Sequence, residues 1–279
     1  MKRLIGLVIA TLVLWSLPVG ADPVSIAPGI TYEQIVRPGP VVMHVLRASM
    51  GEASLAPTVA AGGARVLDMA TLPAIVARQG SGGSVAGAIN GGYSLLQADQ
   101  GAPIGLLIAD GELLCDPWPT RRSCLVFGTS GVPRIEALGL RGSIVGIDGR
   151  AQTIAGLNRP RLPGELVMYT PRFNPATRVR EAGRQVVLSH AFTEGTKLSP
   201  GAEQVAEVTA IVDGMVNVEI PTDGVVLAGS GAVESWLNQR RVGERLTFRF
   251  DMVPNLGPVR CALGAGPRVV RDGRVSIEA

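Results

Sequence analysis

Five Asp-Gly pairs, Asp110-Gly111, Asp148-Gly149, Asp213-Gly214, Asp223-Gly224 and Asp272-Gly273, do most to limit the folds open to this chain. Asp-Gly favours the two-residue type I′ hairpin turn, in which both central residues take a positive φ. Four of the pairs stand between apolar stretches, as in Ile108-Ala109-Asp110-Gly111-Glu112-Leu113-Leu114, so the pattern predicts antiparallel hairpins at Asp110, Asp148, Asp213 and Asp272. The Asp223 pair follows Pro221 and predicts entry into a strand from a loop. Gly and Pro, 36 and 20 of 279 residues, exceed the roughly 12% of average usage and have no period, which fits short strands joined by tight turns. Alternating or β-branched runs at 41–48, 85–90, 124–128, 165–170, 185–189 and 244–252 predict further strands, whereas helical spacing marks only 68–79 and 231–241. The expected fold class is α+β, a strand-rich mixed sheet core built from hairpins with a few flanking helices.

The N-terminus has its own logic. Lys2 and Arg3 precede an apolar run from Leu4 to Leu17, then Pro18 and the small-residue stretch Val19-Gly20-Ala21. That arrangement predicts a signal peptide over 1–21 and a mature domain over 22–279, periplasmic or secreted. The apolar run is too short to span a bilayer, which takes about 20 residues, so no stable membrane span is expected after cleavage. Without Lys2 and Arg3 the formal charge falls from +3 to +1, and with aromatics at 4% this argues against a nucleic-acid partner. Two His and three Cys leave little material for a metal site, and no cofactor is expected.

Export places the cysteines in an oxidising compartment. Cys115 and Cys124 flank the segment Asp116-Pro117-Trp118-Pro119, which makes them a candidate disulfide; the other reading is three buried thiols. Three segments could carry chemistry. Asn90-Gly91-Gly92 follows an expected strand, and its two glycines could present N–H groups as an anion-holding nest, or simply form an Asn-Gly turn. Asp110 is either a turn former or a site carboxylate. Asn158, Arg159, Arg161 and Arg172 surround the strand expected at 165–170, where the guanidinium groups either clamp a phosphate or form a solvated basic face.

The order of these segments resembles the phosphodiester glycosidase family. The resemblance rests on Pro28-Gly29-Ile30-Thr31-Tyr32, His44-Val45-Leu46-Arg47, Ala88 to Tyr93, Asp110-Gly111-Glu112-Leu113, Glu165 to Arg172 running into Phe173, and Leu263 to Gly273. It implies a sheet core with outer helices and an exported hydrolase that cleaves a sugar-1-phosphodiester in envelope or extracellular glycans. Asn90, Gly91, Gly92, Asp110, Asn158, Arg159, Arg161 and Arg172 would bind that substrate, while no carboxylate is assigned as acid, base or nucleophile. The family pattern continues into a C-terminal Asp-Gly-Gly-Gly-Ser that this sequence lacks, so the expected domain is truncated at that end. The alternatives are a catalytically incomplete protein that binds glycan or phosphoglycan, and an exported β-rich domain with a purely structural role.

Overall fold

The computed structural model describes residues 19–20, 22–39, 41–52, 54–79, 84–95, 101–117 and 122–278. The apolar run of the expected signal peptide lies outside them, as do Trp118 and Pro119. The chain forms two compact units, Met1–Leu55 and Ala56–Ala279, where the sequence predicts one domain over 22–279. In the first, β1 (Val19–Gly20), β2 (Val24–Ala27), β3 (Ile30–Arg37) and β4 (Val41–Ala48) make an antiparallel sheet. β4 pairs with the full length of β3, from Ile30 opposite Ala48 to Arg37 opposite Val41. β1 and β2 pair with β3 as well, at its two ends.

The second unit begins with helix α1 (Leu72–Gln79) and the short strands β5 (Tyr93–Ser94) and β6 (Pro103–Ile104). There follow β7 (Leu107–Ala109), β8 (Glu112–Cys115), β9 (Ser123–Gly128), β10 (Pro133–Ala137), β11 (Gly139–Val145) and β12 (Ala151–Ile154). Next come β13 (Gly156–Leu157), β14 (Leu166–Tyr169), β15 (Arg184–Ser189), β16 (Glu203–Asp213) and β17 (Val225–Gly229). The last elements are α2 (Glu234–Leu237), β18 (Arg245–Val253), β19 (Val259–Gly264), β20 (Val270–Arg271) and β21 (Arg274–Val275). The protein is therefore mostly β, about 42% strand and 6% helix, and the α+β expectation is corrected. The two expected helical segments yield only the eight residues of α1, the four of α2 and a three-residue 3-10 turn at Gly231–Val233, too little to form a layer.

Two sheets organise this unit, one in the order β10-β9-β19-β7-β8 and one in the order β12-β11-β18-β16-β15-β17-β14-β13. The end strands of the larger sheet, β12 and β13, are separated in sequence only by Ala155. The sheet must therefore curl back on itself, and it forms a nearly closed barrel in which Ala155 N donates to Leu166 O at 2.8 Å. Strand sequences follow from this geometry. β18 alternates, with Leu246, Phe248, Phe250 and Met252 buried and the residues between them part-exposed or exposed, as expected where one face meets the core and the other meets water. β14 and β17 are buried on both faces. Leu166, Met168, Val225 and Leu227 join one apolar cluster, whereas Val167, Tyr169, Val226 and Ala228 join a second with Leu107, Leu114, Phe173 and Val66. Burying each of the larger apolar side chains among these contributes roughly 1.5–3 kcal/mol.

The Asp-Gly turns at Asp110, Asp148 and Asp272 each close a hairpin, β7–β8, β11–β12 and β20–β21, and Asp223-Gly224 leads into β17 as expected. Asp213 departs from the expectation. It ends β16 opposite Arg184, and Gly214 N donates to Gly183 O at 2.9 Å, so the chain leaves the sheet rather than turning back along β16. The strand expected at 85–90 is also absent. Cys115 and Cys124 do not form the expected disulfide: all three cysteines are buried thiols. β8 and β9 have β7 and β19 between them, and Cys124 and Cys115 pack into different apolar clusters.

Candidate functional site

Turn chemistry at the β7–β8 hairpin builds one wall of the site. Asp110 and Gly111 take φ of +48° and +75°, the left-handed pair that a type I′ turn needs. The tight turn leads directly into β8, so Glu112 enters the strand at the rim of a cleft of about 320 Å³. Opposite it stands Arg172, delivered by the turn after β14, with Nε 3.3 Å from Glu112 Oε1. This contact is Coulombic, since the Nε–H makes no hydrogen bond. Arg172 Nη1 donates to Ala64 O, and Arg172 O accepts from Val66 N at 2.6 Å, which ties the arginine to the 64–66 segment.

Lys197, the only lysine after Lys2, also lines the cleft, and it donates to the Asp110 carboxylate and to Asp110 O. Both cations stay within reach of solvent, the Arg172 side chain 35% exposed and that of Lys197 42%. Phe192 supplies an apolar face, and Thr170, Thr193, Thr196 and Thr222 add hydroxyls. Two more carboxylates, Glu194 and Asp223, complete the lining. Asp223 Oδ2 lies 3.0 Å from His190 Nδ1 and accepts the His190 backbone N–H at 3.1 Å, holding His190 at φ +62°.

The electrostatics divide the two carboxyls of the hairpin. Burial raises the Glu112 pKa above the ordinary value, against the lowering pull of Arg172 and Lys197. Asp110 is exposed, and its hydrogen bond and charge contact with Lys197 lower its pKa. Burial thus favours the neutral form of Glu112, while Lys197 favours the ionised form of Asp110.

The remaining residues marked in the sequence have other tasks. Asn158, 1% exposed with φ +53°, donates through Nδ2 to Leu114 O at 2.7 Å and Thr170 Oγ1 at 2.8 Å. Its Oδ1 accepts from Thr170 N at 2.8 Å. It is a buried clip between β8 and β14. Arg159, 4% exposed, donates to Asp116, Glu165, Pro160 O and Ala155 O. These contacts use all five of its N–H groups, so Arg159 cannot clamp a substrate phosphate, and that reading is corrected. It borders a second cleft of about 320 Å³ with Asp116, Glu165 and Phe250. Arg161 turns to Glu181 O and Ala182 O and lines neither cleft. Asn90 is exposed in coil and Gly91 packs against Leu263, where a Cβ would fall 2.0 Å from Cδ2. Gly92, at φ +51°, rests against Gly264. None of the three lines the Arg172 cleft, so of the eight candidates Arg172 lies in the cleft and Asp110 reaches it through Lys197.

Sequence reasoning missed Glu112, Lys197 and Asp223. Glu112 was detectable as the polar residue directly after an Asp-Gly turn in an otherwise apolar hairpin, and Lys197 by its rarity. Nothing local marks Asp223 apart from its own Asp-Gly pair.

No family model matches the sequence, and no curated protein matches it. In fold the chain is similar to a hypothetical protein from Synechocystis, with a TM-score of 0.72 at 20% identity over 92% of this chain and 45% of that one. It is also similar to a Burkholderia pseudomallei chain called “Putative exported protein”, with a TM-score of 0.58 at 19% identity over 85% of this chain and 50% of that one. The chain thus spans about half the length of these structures. At such identities the likeness concerns the fold. Among the described residues no helix is long and apolar enough to cross a membrane, and no group of three or more His, Cys, Asp or Glu could hold a metal ion.

Proposed function

We propose that the Arg172 cleft binds a sugar-1-phosphodiester and hydrolyses it at the anomeric carbon, in the periplasm or outside the cell. The observation that carries this reading is the meeting of two part-exposed cations, Arg172 and Lys197, with a raised-pKa carboxyl, Glu112, in one cleft. Arg172 and Lys197 would hold the phosphate oxygens, while Phe192 and the threonine hydroxyls would contact the sugar. In the reaction the C1–O bond breaks and the phosphate leaves with the electron pair as a monoester, a good leaving group because its second pKa is near 6. A proton on Glu112 would assist that departure. Water adds to C1, and Asp223 or Glu194 would take its proton, dividing acid and base between carboxyls as glycosidases do.

Arg172→Ala should weaken binding of a sugar phosphodiester by on the order of 1.5–3 kcal/mol, roughly ten- to a hundredfold in Kd. Glu112→Gln should slow sugar release while leaving binding in place. Titration calorimetry and a reducing-sugar assay, run on this chain and on any longer form of the same coding sequence, test both. Cleavage that survives both substitutions would move the chemistry elsewhere, and binding with no cleavage by any form would favour the non-catalytic phosphoglycan-binding reading.

A further inference from the structure

We propose that each phosphodiester bound in the Arg172 cleft brings one proton with it from solvent, taken up by the Glu112 carboxylate; this rests on the sugar-phosphodiester reading above. Arg172 comes from the turn after β14 and Lys197 from the loop before β16. Against these two cations stand Glu112 from β8, Asp110 from the β7–β8 turn, and Glu194 and Asp223 from the loops on either side of β16. His190 faces Asp223, and Arg260 of β19 acts on Asp110. Each cation already has a carboxylate partner when the cleft is empty.

A phosphodiester carries one negative charge and no proton that titrates near neutral pH. Seated on Arg172, it places a second anion beside the guanidinium that Glu112 already approaches to 3.3 Å. Two anions on one half-buried cation repel, and the more desolvated of them takes up a proton. Glu112 is that group: its side chain is 19% exposed, and burial already favours its neutral form. Asp110, 81% exposed and bonded to Lys197, keeps its charge. The balance is simple: the carboxylate gains a solvent proton, and the new O–H can donate to a phosphate oxygen. Binding should therefore strengthen as pH falls.

The probes are the methyl esters of glucose and N-acetylglucosamine C-phosphonates, which keep the single charge and lack the scissile C–O bond. Calorimetry in two buffers of different ionisation enthalpy should show net proton uptake, with affinity falling by up to tenfold per pH unit through the Glu112 titration. Glu112→Gln should bind with neither the uptake nor the slope. Binding without proton uptake overturns this inference and leaves the phosphodiester reading standing. Uptake that persists in Glu112→Gln overturns the assignment to Glu112. Failure of the protein to bind either probe between about pH 5 and 8 overturns the reading and the inference together.

Discussion

Asp116 shows how much a single buried residue can report. Burial pushes its carboxyl to about 6 from an ordinary 3.8, against the pull of Arg159. A carboxyl whose pKa is higher in the folded chain than in the unfolded one makes the folded state bind more protons between those values. Stability then falls as pH rises from roughly 4 to 6, by on the order of 3 kcal/mol from this group. Asp116→Asn keeps an acceptor for Arg159 Nε and removes the titration, so the variant should lose most of that slope. Urea unfolding midpoints at several pH values in this range, compared for the two proteins, would check it. The same neighbourhood shows the limit of reading residues from sequence. Asn158-Arg159 looks like a polar pair beside a strand, and its inward direction depends on acceptors at Asp116 and Glu165 that local pattern cannot supply.

Elements were more legible than sites. The strands over 41–48, 124–128, 165–170, 185–189 and 244–252 stand within a residue of their expected limits, because an apolar or alternating run states its burial directly. Val85-Ala86-Gly87-Ala88-Ile89 alternates too, yet its small residues bury little surface, Ile89 is 78% exposed, and among the described residues no strand pairs with it. The Asp-Gly turns announced three hairpins, while Asp213 failed because the end of β16 already has Arg184 opposite it. At the β7–β8 turn, Gly111 sits at φ +75° in open space, so Gly111→Ala meets backbone strain and no clash. It should lower stability by about 1–2 kcal/mol. It should also slow the proposed phosphodiester hydrolysis by moving Glu112, and the two effects are read from thermal unfolding and from kcat.

For the molecule as a whole, the sheet-rich fold was partly visible, but the nearly closed barrel was not, since it depends on which distant strands become neighbours. The convergence of Arg172, Lys197 and Glu112 was hidden for the same reason. Chemistry that suited a disulfide gave way to topology, with β7 and β19 inserted between the cysteine-bearing strands. Burial raises the Cys115 thiol well above its ordinary pKa, which makes it inert toward thiol reagents in the folded protein. Three thiols per chain should therefore react in denaturant without reductant; a count of one would restore the Cys115–Cys124 bridge.

The barrel closes locally at Ala155 but is held elsewhere by partners far apart along the chain. Gly139 of β11 pairs with Val253 of β18, 114 positions later (253 − 139), and in the separate five-stranded sheet Leu107 of β7 pairs with Leu263 of β19, a longer span still. Such contacts are reached only after long stretches of chain have lost their freedom, so refolding should run on the millisecond-to-second scale of high-contact-order proteins. Until β18 arrives, the free edge of β11 remains open to other chains. Refolding yield should therefore fall as protein concentration rises, since neighbouring molecules offer the same edge sooner than the chain can supply its own.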